Sequence, residues 1–307
     1  MIHLQMNGFI ADNLFQYVVA RVLAEELGFA LRVSHSRMHP QRNVPQLEAL
    51  LAAFADAPLS LQGAVYEEPV DHAAHMDYGD FDGYDLDLAA LCDRREPRRL
   101  EVKGYFQRYD LLRPYKARMR SWFALSSCDR GYAVGPDDLV VHIRRGDLLV
   151  FNLALSLDYY RELLKQLSWR RLYIVGCGLD GEVRRYFARF EPVYVEGEPL
   201  QDLQFMLAFD RMILSNSGFA WWAGFLSTAR EVHFPAMSRD SARDHPKATL
   251  VDLRIDDESR FHYVENVPYQ ERAYTLADVY RARGQLRKQR VAGAVLALLA
   301  RRLGRLR

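Results

Sequence analysis

A chain of 307 residues is long enough for two domains of ordinary size, since single hydrophobic cores stop growing at about 250–300 residues. Half of the residues are apolar and 26% are charged, the balance of an ordinary folded protein rather than of a disordered or fibrous one. A formal charge of +1 removes any global case for a nucleic-acid binder, which leaves local clusters as the informative feature.

The chain opens on Met1-Ile2-His3-Leu4-Gln5, without the basic start and apolar run of a signal peptide, and no segment reaches the roughly 18 uninterrupted apolar residues of a membrane span. Secretion and membrane spanning are not expected, and the reading is a cytoplasmic one. Three widely spaced cysteines, Cys92, Cys128 and Cys177, form no CxxC pair, consistent with a reducing compartment and no structural zinc.

The apolar start reads as a strand and residues 6–13 as a tight loop. Across residues 14–27, Phe15, Val18, Val19, Val22, Leu23 and Leu27 recur at helical spacing, which predicts a core-facing helix. Residues 35–100 are rich in His, Asp, Pro and Tyr and support no firm element. Within them, Asp80, Asp82, Asp85 and Asp87 sit near His72, His75 and Asp77. Paired carboxylates of this kind can help hold a divalent cation, but no clear strand precedes them, and a solvated acceptor-side loop is the plainer reading.

From residue 138 onward, apolar runs at 139–143, 172–175, 193–195, 212–214 and 232–234 alternate with helical segments near 157–167, 180–189, 199–210 and 219–227. The alternation predicts an α/β fold with a parallel sheet covered by helices on both faces. Ligands in such sheets bind beyond the carboxyl ends of the strands, so the residues that follow each run are the ones to inspect.

One run ends in Val140-Val141-His142-Ile143-Arg144-Arg145-Gly146-Asp147. A buried strand finishing in two arginines requires anionic partners, because unpaired buried charge is costly. A diphosphate would serve, through paired hydrogen bonds to a planar guanidinium; pairing of one arginine with Asp147 is the alternative. A second run ends in Leu214-Ser215-Asn216-Ser217-Gly218 ahead of a helix. Its free amides form a ready anion site, unless Asn216 or Ser217 merely caps the helix. Trp221 and Trp222 could stack on a sugar, but a helix packed on a sheet more commonly spends such residues on its core.

The combination of HIRRGD at 142–147, GYFQ at 104–107, LDYY at 157–160, Asp202 through Asp210, SNSGFAWWAGFL at 215–226 and NLFQY at 13–17 resembles the bacterial alpha-1,2-fucosyltransferase family. That family is similar in its motifs to alpha-1,6- and protein O-fucosyltransferases. The likeness spans roughly residues 1–235.

The resemblance implies two facing Rossmann-like domains of the GT-B type: an acceptor-side domain over 1–130, a nucleotide-sugar domain over 131–250, and a C-terminal extension over 251–307. It also implies inverting, metal-independent transfer of L-fucose from GDP-fucose to a hydroxyl, such as the 2-OH of a galactose-like sugar, as in O-antigen or surface polysaccharide synthesis. No cofactor is implied.

By the same resemblance Arg144 contacts the diphosphate, His142 lies by the guanosine, and Ser215, Asn216, Ser217 and Gly218 belong to the donor site. Arg145, Asn13 and Gln16 are supporting. Asp202 would read guanine, whose Watson-Crick edge offers two adjacent donors to a carboxylate; complementing the dipole of a helix opened by Pro199 is the other reading. The catalytic base would be Asp12 or Asp147, with buttressing of Arg145 the stronger reading for Asp147.

The chain departs from the family at Gly8-Phe9-Ile10-Ala11-Asp12-Asn13, where a GGLGNQ-like loop is usual, at Gly176-Cys177-Gly178-Leu179-Asp180 in place of an acidic pair, and at Ser217-Gly218-Phe219 in place of Ser-Thr-Phe. A different donor such as GDP-mannose or GDP-rhamnose, or a non-catalytic nucleotide- or glycan-binding relative, therefore stays open.

The tail places Arg281, Arg283, Arg287, Lys288 and Arg290 before an apolar stretch at 291–300, then Arg301, Arg302, Arg305 and Arg307. A basic helix with one apolar side suits an anionic membrane surface, here the inner face of the cytoplasmic membrane, where a lipid-linked glycan acceptor would be found. A solvated or partner-bound helix is the alternative. No nucleic-acid partner is expected, for want of any fold signature.

Overall fold

The structure, a computed structural model, describes residues 1–6, 9–35, 88–93, 100–102, 104–150, 153–236 and 252–270. The acidic and histidine-containing stretch at 72–87, the residue pair 7–8 and the basic tail at 281–307 lie outside the described residues, as does the side chain of Asp147.

The first sheet has three parallel strands in the order β2-β1-β3, formed by β1 (Ile2–Met6), β2 (Leu31–His35) and β3 (Leu100–Val102). Between β1 and β2 runs α1 (Ile10–Leu27), which begins inside the segment expected to be a loop. The cause is local: the carboxylate of Asp12 accepts the backbone N–H of Phe9 at 2.8 Å, closing the first turn four residues earlier than the apolar pattern suggests. The helix ends at Gly28, in the left-handed conformation at φ 66°, so that the N–H of Phe29 reaches back to the Ala24 carbonyl at 2.8 Å. Its residues are buried nearly all round, including Asn13 and Gln16, because it is packed from both sides. Phe15 meets Trp221 and Trp222 at ring-centroid distances of 5.1 and 4.8 Å.

Three short helices, α2 (Leu88–Asp93), α3 (Tyr109–Leu112) and α4 (Lys116–Trp122), flank the passage to the second sheet. That sheet contains β4 (Leu139–Arg144), β5 (Leu172–Cys177), β6 (Val193–Val195), β7 (Arg211–Ile213), β8 (Glu231–Pro235) and β9 (Phe261–Val264). All neighbours are parallel and the order is β6-β5-β4-β7-β8-β9. The chain therefore steps outward one way from β4, returns, and steps outward the other way from β7, the doubly wound order whose crevice at the reversal holds ligands. The α/β class and the helix-covered parallel sheets expected from the apolar runs are what the chain adopts. β9 lies within residues 251–307 and nonetheless completes the sheet.

Helices α5 (Gly146–Val150), α6 (Leu157–Gln166), α7 (Gly181–Phe187), α8 (Pro199–Met206) and α9 (Gly218–Leu226) connect the strands. Strand alternation divides β4 between two cores. Leu139, Val141 and Ile143 pack with Leu157, Tyr160, Leu163 and Leu164 of α6 and Val183 and Phe187 of α7. Val140 faces the other way, into a cluster shared with Phe205, Trp221 and Trp222 and continuous with α1 and the first sheet. Both tryptophans are core residues, with Trp221 donating to the Leu253 carbonyl at 2.8 Å.

Candidate functional site

The site forms where β4 outlasts β7. Pairing of β7 with β4 ends at Val141↔Ile213, whereas β5 continues alongside β4 to Arg144↔Cys177. The space above the end of β7 opens into a cavity of about 310 Å³, walled by His142 and Arg144 from β4, Gly176 and Cys177 from β5, and Asn216 to Phe219 at the start of α9. Gly197, Pro199 and Asp202 close one side, and Phe9, Ile10, Ala11 and Asp12 at the start of α1 close another. The volume is at the small end of ligand pockets, and its place at the strand-order reversal is where such folds bind nucleotides.

Two sources of positive character meet here. Arg144 is half-buried at the strand end, and the first-turn amides of α9 have no partners within their own helix. Ser217 stands at the N-cap yet makes no side-chain capping bond, and the Asn216 amide instead donates to the Leu153 carbonyl at 2.7 Å. Capping by either residue, the plainer of the two sequence readings, is not what they do.

His142 follows Val140 on the same face of β4, which turns its ring toward α9. It is buried, shares a 2.8 Å hydrogen bond between Nδ1 and Ser215 Oγ, and lies 5.4 Å from the Phe219 ring. Burial, aided by the nearby Arg144 charge, drives its pKa down to about 3, so the imidazole is neutral at physiological pH. Ser215 is wholly buried behind this histidine and does not line the cavity.

Arg145 does not share the role of its neighbour. It is fully buried and turns toward α7, donating to Asp180 at 3.2 Å, Glu182 at 2.7 Å and Gln270 at 3.1 Å. Two of these partners stand at the start of α7 and one lies past β9, while the pairing with Asp147 weighed from the sequence falls on a side chain outside the described residues. The bracing is also backbone-deep, because the Arg145 N–H donates to the Cys177 carbonyl at 3.0 Å. Gly176 permits this close approach: at φ +142° a Cβ there would stand 1.9 Å from the Ile143 carbonyl oxygen.

Asp202 reaches the cavity wall from α8, and burial raises its pKa to about 6 against the opposing pull of Arg130 and a backbone hydrogen bond from Gly197. Its partner is Arg130, at 2.9 Å. The helix-dipole reading of Asp202 omits that ion pair. Asp12 is held on both oxygens, by Phe9 N–H and by the Gln107 amide at 2.7 Å, so its carboxylate fixes the loop that walls the cavity. Asn13 and Gln16 are buried within α1 and do not line the cavity.

The structure thus gathers His142, Arg144, Asp202, Asn216, Ser217, Gly218 and Asp12 around one space, and leaves Arg145, Ser215, Asn13 and Gln16 behind its walls. Sequence reasoning missed Arg130 as part of this region, and it held Gln107 in the GYFQ motif and Phe9 in the altered loop without assigning either a role. Phe9 carried a readable signal, being an aromatic where a small residue is usual, and it is the one large apolar side chain that is exposed among the described residues, at 55%. Arg130 acts through a partner 72 residues away and carried none.

No family model matches the sequence, and no curated protein matches it. Similar solved structures include NodZ alpha-1,6-fucosyltransferase soaked with GDP-fucose, at 14% identity over 75% of this chain and 93% of that one, with a TM-score of 0.47. Fucosyltransferase NodZ from Bradyrhizobium is similar at 14% identity, 75% and 94% coverage and a TM-score of 0.47. A glycosyl transferase family 9 protein from Veillonella parvula DSM 2008 is similar at 9% identity, 86% and 85% coverage and a TM-score of 0.42.

Proposed function

We propose that the chain is an inverting glycosyltransferase of GT-B architecture that moves L-fucose from GDP-fucose to a hydroxyl of a glycan. The observation that carries the reading is that Arg144 and the amide-bearing start of α9 wall the same cavity, at the reversal of strand order. A diphosphate matches both in charge and in hydrogen-bonding capacity. Neutral His142 and buried Asp202 supply an uncharged ring and a carboxylate for a nucleoside in the remaining wall. The choice of fucose, and of the galactose 2-OH as acceptor, rests on the motif resemblance.

In this mechanism the acceptor oxygen attacks the anomeric carbon from the face opposite the diphosphate. A carbon–oxygen bond forms as the bond to the diphosphate breaks, GDP leaves with the electron pair, and the acceptor proton passes to a base. Asp12 and Asp147 stay the candidates for that base, with the Asp12 carboxylate already engaged in fixing its loop. Negative charge builds on the departing diphosphate, and preplaced donors lower the barrier by stabilising it there. Arg144 and the Gly218 amide at the start of α9 are those donors. The reading needs no metal, because the arginine and the helix start meet the same charge; turnover unaffected by a chelator is its expected behaviour.

The test is release of GDP that depends on both donor and acceptor, with GDP-fucose, GDP-mannose and GDP-rhamnose competing in one mass-spectrometric assay. Loss of release in Arg144→Ala supports the assignment, and unchanged turnover in that variant removes Arg144 from it. The basic segment at 281–307 is proposed to hold the enzyme on an anionic membrane. A chain ending before Arg281 that still sediments with anionic liposomes would refute that part.

A further inference from the structure

Arg130 occupies the first of two left-handed positions in a tight turn, the second being Gly131. It adopts a left-handed backbone at φ 53°, unusual for a residue with a side chain, inside a turn closed by Tyr132 N–H to the Asp129 carbonyl at 2.9 Å. The Asp129 carboxylate steadies the turn by accepting Gly131 N–H at 3.0 Å, and Cys128 N–H ties it to α8 through the Gln204 carbonyl at 3.1 Å. The result is to lay the guanidinium between two acceptors, Asp202 Oδ1 at 2.9 Å and the Glu196 carbonyl at 3.1 Å. Gly197 lies directly beneath it, where a Cβ would stand 2.6 Å from the guanidinium and displace it from this position.

Asp202 is the member of this pair that reaches the cavity, and its side chain is only 10% exposed. A carboxylate so placed can accept two donors only while ionised; protonated, it becomes a donor on one oxygen and loses the match. One carboxylate oxygen bonded to a fixed guanidinium also fixes the plane of the group, leaving its remaining lone pairs in one orientation.

We propose that Arg130 is the specificity-determining positioning residue of the nucleotide site: by holding Asp202 ionised and aimed, it makes the site select a base edge bearing two adjacent N–H donors. The inference rests on the nucleotide-sugar reading above and assigns it a new residue. Burial already lifts the Asp202 pKa to about 6, and Glu198 adds to the lift, while Arg130 and the Gly197 N–H oppose it. Of the other titratable groups on the cavity wall, His142 is neutral, and Arg144, Asp12 and Cys177 contribute a guanidinium, a carboxylate and a thiol. Removing Arg130 therefore moves the carboxyl further up, toward protonation near neutral pH.

The experiment titrates the full chain calorimetrically with GDP and with inosine diphosphate, which lacks the 2-amino donor. The ratio of the two affinities cancels the shared titration of the phosphates. Wild type is expected to prefer GDP by roughly tenfold to a hundredfold, the worth of one hydrogen bond to a charged group, and to lose the preference as pH falls below about 6. Arg130→Gln is expected to lose it near neutral pH and to regain it under mildly alkaline conditions, whereas Arg130→Lys keeps it. A brace serving only the fold would show no such recovery.

Preference retained by Arg130→Gln near neutral pH, or lost at every pH, overturns the proposal while leaving the nucleotide site standing. A wild type that binds neither nucleotide overturns both. Should Arg130→Gln fail to fold, the pH dependence of the wild-type ratio and the Arg130→Lys result decide in its place.

Discussion

The indole N–H of Trp222 donates to the Ala11 carbonyl oxygen at 3.2 Å, so the part of the cavity wall that comes from α1 is tied to the core of the second sheet. Trp222 is fully buried among Phe15, Phe123 and Phe225. Trp222→Phe removes the donor and part of the ring. A loss of about 1–3 kcal/mol in urea unfolding is expected, together with severalfold weaker GDP binding as the Ile10 to Asp12 wall loosens. Unchanged affinity would show that the wall is positioned by other contacts.

The adjacent arginines should respond in opposite ways. Arg144→Ala should reduce turnover by roughly a hundredfold to a thousandfold, the usual effect of deleting one charge-stabilising donor, with a near-normal unfolding midpoint. Arg145→Ala removes a fully buried cation from Asp180, Glu182 and Gln270 and should cost about 2–3 kcal/mol of stability. The figure is held below that of a fully buried pair because both carboxylates are close to half exposed and can be solvated again. Paired unfolding and rate measurements on the two variants check the contrast, which a reversed pattern would contradict.

Gly176→Ala should be poorly tolerated. The added methyl would meet the Ile143 carbonyl oxygen at 1.9 Å and occupy φ +142°, which side-chain-bearing residues rarely adopt. Relief requires parting the ends of β4 and β5, the strands that position Arg144 and Cys177. A loss of about 3 kcal/mol or more is expected, followed through tryptophan fluorescence in urea. Stability within about 0.5 kcal/mol of wild type would mean that the strand ends yield easily.

His142 gives the acid limb of the stability curve a definite sign. Its pKa is about 3 in the folded protein and near 6.5 when unfolded, so the unfolded state binds the extra proton between these values. Its contribution is complete above about pH 6.5 and drains as pH falls toward 3, at up to about 1.4 kcal/mol per pH unit. Asp202 opposes this between its ordinary value of 3.8 and about 6, where the folded protein holds the extra proton and stability grows with acidification. Subtracting the curve of His142→Gln from that of wild type isolates the histidine. A difference that stays flat from pH 6.5 to 4 would contradict its burial as a neutral ring.

Much of the second sheet was legible, because apolar runs of strand length alternating with helical periods are local patterns and five of its six strands carry them. β9 escaped, since Phe261-His262-Tyr263-Val264 is short and half polar, and only pairing with β8 makes it a strand. The start of α1 escaped for a related reason: Asp12 builds the first turn through its own carboxylate, with Gln107 steadying it from 95 residues away.

By itself, the sequence determined the α/β class and the two charged or amide-rich strand ends that converge on the cavity, for both follow from residue type and spacing along a few consecutive positions. Residue type and spacing named Arg144 and Arg145 together, and only the motif resemblance assigned Arg144 to the diphosphate and Arg145 to support, without naming the partners Arg145 finds. Tertiary structure decided that division, sending one side chain to the cavity and the other to Asp180, Glu182 and Gln270. It also decided that Asp202 would face the cavity with Arg130 holding it. Periodicity is written into neighbouring residues, whereas the partner of a buried charge is fixed only when distant segments pack together and the cost of leaving that charge alone selects the arrangement.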